Sequence, residues 1–451
     1  MATETGLRRW RAAAERPTDG ASLALFRIAF GVLMCASALR FLAYGWVDQF
    51  YVLPTFHFTW IDGLAPLPGW GMHGVFWALA ALAALIAVGL YTRLAAGAFF
   101  ILFTYVQILE KSAYLNHYYL IVWVSALMMW LPTERAFSLD ARWRGKGGSV
   151  PAVAIWAVRG QLGLVYFFAG LAKVQPDWLL EAQPLKIWLA GQGDFPVLGP
   201  LLIMPEAAHV FSWAGMIFDL TIPFWFLWRP ARPFAYATVL GFHLMTAALF
   251  QIGLFPWMMM CFTPIFFDPS WPRRLWAQRP WARRSRTQRP QIPKGGAAQT
   301  PAPQAGARLR PASLIFLAAV ALVQIALPLR HHLYPGNHLW TEEGFRFSWH
   351  VMVMEKSGIA ELRVKTPTGE SLVDLRAHLT PVQIRMMSTQ PDMILDFAHA
   401  LARDLPPEAS IYIDSHVSLN GRRGRPLVSS EVDLRQIDSV SALRPWLLPL
   451  D

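Results

Sequence analysis

VRGQLGLVYFFAGLAKVQPDW, residues 158–178, combines an apolar run long enough to cross a membrane with five residues unusual in such a run. The five are spaced four, three, four and three apart: Arg159, Gly163, Tyr166, Gly170 and Lys173. On a helix this spacing places them in one narrow stripe. Small residues in such a stripe let a second helix approach closely, so we predict that the stripe faces protein rather than lipid.

Lys173 places an amine at the end of this apolar segment, and two interpretations follow. Burial penalises the ammonium form, so a lysine held there can act as a base at working pH. Alternatively, the side chain extends along the helix until its amine reaches the lipid headgroups. Position alone favours the second interpretation.

Composition predicts an integral membrane protein. The chain has 451 residues, of which 55% are hydrophobic and only 15% charged, whereas soluble proteins carry more charge. Cys35 and Cys261 both lie inside apolar runs, which excludes a disulfide framework or a cysteine zinc site. The polar N-terminal segment is too long for a cleaved signal peptide.

Apolar segments predict a polytopic bundle of about eight or nine spans in all, with eight of them within residues 1–267 and a last span at 312–330. The predicted segments lie near residues 22–41, 74–90, 94–109, 118–131, 152–172, 207–228, 234–250, 252–267 and 312–329. Between the last two, residues 268–311 form a linker rich in Pro, Gln, Ala and Arg. That composition cannot build a core, so we expect a disordered cytoplasmic linker.

The basic residues, which give the chain a net charge of +11, define a topology. With the N-terminus inside, Arg93, the basic cluster at 135–146, Arg229, Arg232 and the linker all fall on the cytoplasmic side. The arginines therefore orient the protein and contact lipid headgroups, and no nucleic-acid partner is expected.

Residues 331–451 have the composition of a soluble domain. Alternating stretches at 347–354, 361–365 and 410–419 predict strands, with helices between 381 and 405. We predict a small α+β domain on the outer face. Its basic hairpin, residues 421–425, is expected to be a solvated loop.

Five polar or ionisable residues lie in or beside the spans, where each is costly in hydrocarbon. They are Asn116, His117, Lys173, Asp219 and His243. Taken singly, Asp219 and His243 are more often packing residues with satisfied hydrogen bonds. No H-x-x-x-H, H-E-x-x-H, phosphate loop or G-x-S-x-G motif is present, so no metal is expected. A lysine, a histidine and an amide at one interface suit proton abstraction from a lipophilic substrate.

Seven motifs, in chain order, resemble the vitamin K-dependent γ-glutamyl carboxylase family. They are RPTDGASLALFR (16–27), LNHYYL (115–120), RGQLGLVYFFAGLAK (159–173), DW (177–178), FHLM (242–245), LFQIGLF (249–255) and FSWHVMV (347–353). The resemblance covers nearly the whole chain. It implies an enzyme that couples oxidation of vitamin K hydroquinone by O2 to removal of a glutamate γ-proton and addition of CO2.

The resemblance also implies roles for individual residues. Lys173 falls on the base that deprotonates the hydroquinone, and Asn116 and His117 fall on a polar pair beside it. The implied substrate-binding residues are His243, Trp340, Phe345, Ser348 and Trp349, the last four within the segment 340–354 that holds glutamate. Tyr166, Phe255 and Met259 are expected to line the quinone. The implied partners are a lipophilic quinol, membrane lipid and a glutamate-containing peptide or protein.

The sequence departs from the family's eukaryotic members at several points. Phe345 replaces a tyrosine, Met354 replaces a histidine, Cys35 and Cys261 do not reproduce the cysteine pair, and the long C-terminal region is missing. These departures imply a bacterial member in a cytoplasmic membrane, and they keep open a quinol epoxidase without protein carboxylation. A transporter or a membrane anchor is the non-enzymatic alternative, although the halves show no inverted repeat.

Overall fold

The computed structural model describes residue 9 and residues 11–145, 147–277, 309–438 and 446–450. The disorder predicted for the linker falls largely on residues 278–308, which lie outside the described residues. The remainder forms a helix bundle with a small α+β domain at one end, as the sequence predicts.

The bundle is built from antiparallel helices joined by short turns. Its helices are α1 Ala21–Ala43, α2 Gly71–Val88, α3 Thr92–Leu109, α4 Asn116–Trp130, α5 Leu139–Arg144, α6 Ala152–Leu171, α7 Pro176–Leu179, α8 Leu185–Ala190, α9 Gly199–Leu202, α10 Pro205–Trp225, α11 Arg232–Leu249, α12 Phe255–Phe262, α13 Trp271–Ala277 and α14 Pro311–Leu329. Every apolar segment predicted from the sequence is mainly helical. Six helices in the described part of the chain are long and apolar enough to cross a membrane, namely α1, α2, α3, α6, α10 and α14. The predicted count of eight or nine spans is therefore not confirmed.

Two buried arginines hold the end of the bundle that carries the basic loops. Arg27 is fully buried and donates from Nη1 to the carbonyl of Ile86 at 2.7 Å and from Nη2 to that of Phe137 at 2.6 Å. Arg159 donates from Nε to the carbonyl of Ile265 at 2.9 Å. Carbonyls at helix ends carry partial negative charge, so they compensate a cation that would be costly in an apolar interior.

The C-terminal domain contains one antiparallel sheet. Its strands are β3 Lys356–Thr366, β4 Gly369–Leu372, β5 Ser410–Leu419 and β6 Arg425–Pro426, in the order β4-β3-β5-β6, while β1 Pro17–Asp19 and β2 Ser149–Pro151 pair separately in the bundle. Helices α15 His338–Thr341, α16 Pro381–Met387 and α17 Pro391–Ala402 complete the domain. Alternate residues of β5 are buried, which is the two-residue period of a strand with one face on a core.

The strand predicted at 347–354 is wrong. These residues form an irregular loop in which Phe347, Trp349 and Met352 have φ angles of +63°, +58° and +55°. Left-handed backbone at three side-chain-bearing residues interrupts the pleat of a strand, although the alternation of side chains resembles one. The strands predicted at 361–365 and 410–419 are confirmed by β3 and β5.

The domain docks on the bundle through charged and polar contacts. Lys111 forms an ion pair with Asp396, and Gln383 Nε2 donates to Glu110 Oε2 at 2.9 Å. On the other side of the domain, Arg422 donates from Nη1 and Nη2 to the two carboxylate oxygens of Asp177 at 2.6 and 2.5 Å. Residues 421–425 are all exposed, as expected for a solvated loop, and Arg422 in addition binds an acidic residue after α6.

Replacing Asp177 with asparagine is expected to weaken this docking by on the order of 1 kcal/mol, because it removes a bidentate ion pair that is partly exposed. Hydrogen bonds from Arg422 hold the pKa of Asp177 below its ordinary value of 3.8, against the opposing effect of burial. A lowered pKa means that the contribution is complete above that ordinary value and is lost as pH falls through the folded-state value. At neutral pH, hydrogen exchange of residues 418–426 should be faster in Asp177→Asn than in the wild type. In the wild type, exchange of the same residues should become faster only at acidic pH.

Glu181→Gln provides a matched control, because Glu181 is an exposed carboxylate four residues away on the same connection. Equal exchange in Asp177→Asn and the control would show that the ion pair does not hold the domain.

Candidate functional site

Lys173 lies in the turn that follows α6, and its amine points into the protein. Its Nζ donates to Asp219 Oδ2 at 2.9 Å and to the carbonyls of Ala169 and Val351 at 3.1 and 3.2 Å. The Lys173 and Asp219 side chains are only 5% and 8% exposed. The side chain therefore does not extend toward solvent, and the interpretation of Lys173 as a residue reaching the headgroups is wrong.

Gly170 brings the two helices of this pair together. A Cβ at Gly170 would lie 2.6 Å from the backbone nitrogen of Leu220 and 3.0 Å from the carbonyl carbon of Asp219. The predicted close approach of a second helix is thus confirmed at Gly170, where α6 meets α10. Gly163 makes only an ordinary contact, 3.7 Å from Pro223.

The amine and carboxylate form part of the wall of a cavity of about 270 Å³. The wall is otherwise mainly apolar and comes from α6, α10, α11 and the start of α12. Its lining includes Val165, Tyr166, Lys173, Trp178, Phe211, Asp219, Phe242, His243, Phe250, Phe255, Val351 and Met352. We call this the lysine cavity.

Two of the three residues expected to line a quinone border the lysine cavity. Tyr166 and Phe255 lie in its wall, whereas Met259 is fully buried in the bundle core and is not among the lining residues. His243 also lines the cavity, and its Nε2 lies 3.0 Å from the Tyr166 hydroxyl. His243 therefore has a hydrogen-bond partner inside the bundle and also lines the cavity.

Asn116 and His117 border a second cavity, of about 510 Å³, which we call the arginine cavity because Arg40 also lines it. The two cavities share Ile252, Phe255, Val351 and Met352, so they are neighbours. The Phe255 ring lies between them, with its centroid 6.2 Å from that of His117 and 6.0 Å from that of His243. Asn116 and His117 are thus close to Lys173, but they line the arginine cavity rather than the lysine cavity.

Residues 342–354, which we call the site loop, separate the two cavities. Asn116 Nδ2 donates to the carbonyl of His350 at 3.0 Å, and Lys173 Nζ donates to the next carbonyl, that of Val351. Left-handed backbone at residues with side chains costs of order 1–3 kcal/mol per residue and persists only when the surroundings hold it. The four such residues in this loop, Glu342, Phe347, Trp349 and Met352, indicate that its shape is held in place by the bundle and has a role in the site.

The predicted glutamate-binding residues line neither cavity. Trp340 is buried in the domain core and donates from Nε1 to the carbonyl of Leu448 at 2.8 Å. Ser348 donates to the carbonyl of Leu327 at 2.9 Å, and the half-buried Phe345 ring stacks on His350. Their roles in glutamate binding stay predictions. The site loop instead presents Val351 and Met352 to the cavities, which the sequence did not reveal.

Trp349 belongs to a buried polar network that sequence reasoning missed. Gln324, in the middle of α14, accepts from Trp349 Nε1 and from Gln161 Nε2 at 3.2 Å each and donates to the Tyr119 hydroxyl at 2.9 Å. The sequence did contain a signal for this network, because the apolar spans α6 and α14 each contain a glutamine. This network ties the site loop to α4, α6 and α14.

Trp349→Ala is expected to destabilise the protein by about 3–5 kcal/mol, because the side chain is fully buried and its removal leaves a large cavity. Thermal melting in detergent measures the effect. Trp349→Phe should lose less, about 2 kcal/mol, since it keeps a six-membered aromatic ring at the site but loses part of the volume and one hydrogen bond. Trp70→Ala is the surface control, as Trp70 is 80% exposed. A melting temperature of Trp349→Ala equal to that of the control would refute this packing role.

The fold and the site define a polytopic membrane protein with an internal apolar cavity, a buried lysine–carboxylate pair in its wall and an α+β domain over that end of the bundle. The HTTM domain family matches residues 15–271, more than half of the chain. The lumenal domain of vitamin K-dependent gamma-carboxylase matches residues 309–451. The chain belongs to the vitamin K-dependent gamma-carboxylase family, whose domains indicate an enzyme with a carboxylase function. No solved structure matches the chain.

Proposed function

We propose that this protein carboxylates glutamate side chains at the expense of vitamin K hydroquinone, O2 and CO2, and that Lys173 is the base that deprotonates the hydroquinone. The observation that carries the proposal is the buried amine of Lys173, paired with Asp219, in the wall of an apolar cavity. A base in such a position meets a lipophilic acid while water is largely excluded.

The lysine cavity suits the ring of a quinol. Its volume of about 270 Å³ is near the lower end of small-molecule sites, roughly 300–1,000 Å³, so it holds a ring system rather than a whole lipid. Val210 and Met245, on α10 and α11, line the cavity and are 64% and 38% exposed on the bundle surface. In a membrane this side faces lipid, which gives an isoprenoid tail a lateral way out of the site.

The ion pair gives the lysine a proton partner. When the shared proton rests on the Asp219 carboxylate, the amine of Lys173 has a free lone pair without any change in the charge of the pair. The Nζ atom can then accept a proton from a hydroxyl in the cavity, which gives an ammonium hydrogen-bonded to a neutral Asp219 carboxyl, and the positive charge of this pair stabilises the oxyanion left on the substrate. Oxidation of the hydroquinone by O2 supplies the strong base that glutamate γ-proton removal requires.

The arginine cavity suits the glutamate side chain. Arg40 offers a cation there, and its buried Nε has no hydrogen-bond partner in the part of the chain that the structure describes. A guanidinium with an unused donor is a good partner for a carboxylate. Glutamate bound there would be separated from the lysine cavity by little more than Phe255 and the site loop.

We infer that these cavities face the outer side of a bacterial cytoplasmic membrane. The basic loops lie at the other end of the bundle, beside Arg27 and Arg159, and basic loops prefer the cytoplasm. The substrate peptide would then reach the arginine cavity from the side on which the α+β domain lies.

Quinol epoxidation without carboxylation is the second candidate function. Phe345 and Met354 stand where eukaryotic members carry a tyrosine and a histidine, and both pack against the core of the domain. Neither residue offers a polar group to the two cavities, which favours a site that keeps the quinol reaction but has changed its acceptor.

The test is an assay of the full chain in detergent with reduced vitamin K, labelled bicarbonate and a short glutamate peptide. Formation of the epoxide together with labelled peptide is expected. Epoxide without label would favour the second candidate, and the absence of both products would overturn the proposal.

A further inference from the structure

Three histidines meet beside the site loop, although the sequence contains no metal-binding motif. His331, His338 and His350 each offer a ring nitrogen, and these nitrogens lie within 4.8 Å of one another. The ring centroids are 4.4 Å apart for His331 and His338, 4.9 Å for His338 and His350, and 5.0 Å for His331 and His350. This is the one group of potential metal ligands found among the described residues.

Hydrogen bonds prepare two of the rings for metal binding. His331 Nδ1 lies 2.8 Å from the carbonyl of Pro328, and His350 Nδ1 lies 3.3 Å from that of Phe345. A carbonyl can only accept, so each Nδ1 carries the hydrogen and each Nε2 keeps its lone pair. Histidines that bind metals are oriented in this way, by a hydrogen bond from the other ring nitrogen.

The separations require only a small adjustment. Three nitrogens bound to one tetrahedral zinc ion at about 2.0–2.1 Å are about 3.4 Å apart, so the rings must close by about an ångström. His331 and His338 are half-buried, which leaves them room to rotate and leaves the cluster open to an ion from solvent. Imidazole nitrogens without carboxylates suit zinc and similar divalent transition metals rather than Mg²⁺ or Ca²⁺.

The three ligands come from separate parts of the chain. His331 lies in the turn after α14, His338 begins α15, and His350 is in the site loop. The carbonyl of His350 accepts from Asn116, and that of Val351, the next residue, accepts from Lys173. An ion at this point would therefore join the last span and the domain to the loop that forms the wall between the two cavities.

We propose that His331, His338 and His350 bind one divalent transition-metal ion of the zinc class, with water at the fourth position, and that this ion holds the site loop in place. The inference rests on the geometry of the three rings and does not depend on the proposed carboxylation. Sequence reasoning missed the site because its ligands are separated by seven and twelve residues and lie on three different elements.

The experiment measures Co²⁺ and Zn²⁺ binding to the full chain, purified in detergent with a tag that contains no histidine. After chelation and dialysis, wild-type protein should bind one Co²⁺ per chain, with the visible absorption of a tetrahedral ion, and Zn²⁺ should displace it. His338→Ala should weaken Zn²⁺ binding by roughly 100-fold or more. Loss of a metal ligand costs at least as much affinity as loss of a residue that hydrogen-bonds to a ligand. His416→Ala is the matched control, because His416 is exposed on β5, away from the cluster.

Zn²⁺ should also raise the melting temperature of the wild type and of His416→Ala, but not that of His338→Ala. If His338→Ala does not fold, His331→Ala takes its place. Wild-type protein that binds no Co²⁺ or Zn²⁺ stoichiometrically would overturn the proposal whatever the variants do. Equal affinity in wild type and the cluster variants would also overturn it, because the ion would then be bound elsewhere.

Discussion

Replacing Lys173 with methionine is expected to lower quinol epoxidation by about 10²- to 10⁴-fold, the usual contribution of a positioned acid or base. Methionine fills similar space without an amine, so the proposed base is removed from the wall of the lysine cavity. Epoxide formation from reduced vitamin K, followed by chromatography, measures the effect.

The single variant also has a structural consequence, because it leaves the Asp219 carboxylate buried without its partner. Breaking a buried ion pair costs about 3–5 kcal/mol, whereas replacing both partners by apolar residues is often neutral. The double variant Lys173→Met/Asp219→Leu therefore separates the two effects. It should regain the melting temperature of the wild type while its epoxidation stays low. Recovery of epoxidation together with stability would show that the pair has only a structural role.

Gly170→Ala is expected to lower epoxidation by roughly 100-fold, the loss that a misplacement of about 1 Å can cause in a catalytic group. The new Cβ would lie 2.6 Å from the Leu220 nitrogen, so α10 has to move away from α6. Asp219 moves with α10, which lengthens its contact with Lys173.

Gly160→Ala, on the same helix, is the matched control. A Cβ at Gly160 meets nothing within 4 Å, so alanine there should leave activity unchanged and slightly favour the helix. If both variants keep wild-type epoxidation, the spacing of α6 and α10 does not control the site.

The sequence predicted the stripe on α6 because helical spacing and the cost of burying polar groups are local properties. Arg159, Tyr166, Gly170 and Lys173 are all buried. The partner of Lys173 could not be predicted in the same way. Asp219 lies 46 residues further on, and its contact depends on the register of two helices, which Gly170 sets by close packing.

The site loop shows a second limit of sequence reasoning. Its alternating side chains resemble a strand, but left-handed backbone at Phe347, Trp349 and Met352 gives a loop that only the surrounding contacts can hold. Those contacts involve residues such as Gln324 and Tyr114, which are far away in the chain. Residues that line the cavities were therefore identified more completely on the helices than on this loop.

The most direct test of the central claim is to locate bound quinone in the protein. A naphthoquinone carrying a photoreactive group on its ring, irradiated with the wild-type chain in detergent, should label peptides from α10 and α11. Phe211 of α10, Phe242 of α11 and Phe250, the residue directly after α11, lie in the wall of the lysine cavity. An excess of unmodified vitamin K should abolish the label. Competable labelling confined to peptides that do not border the lysine cavity would contradict the assignment of Lys173 as the base.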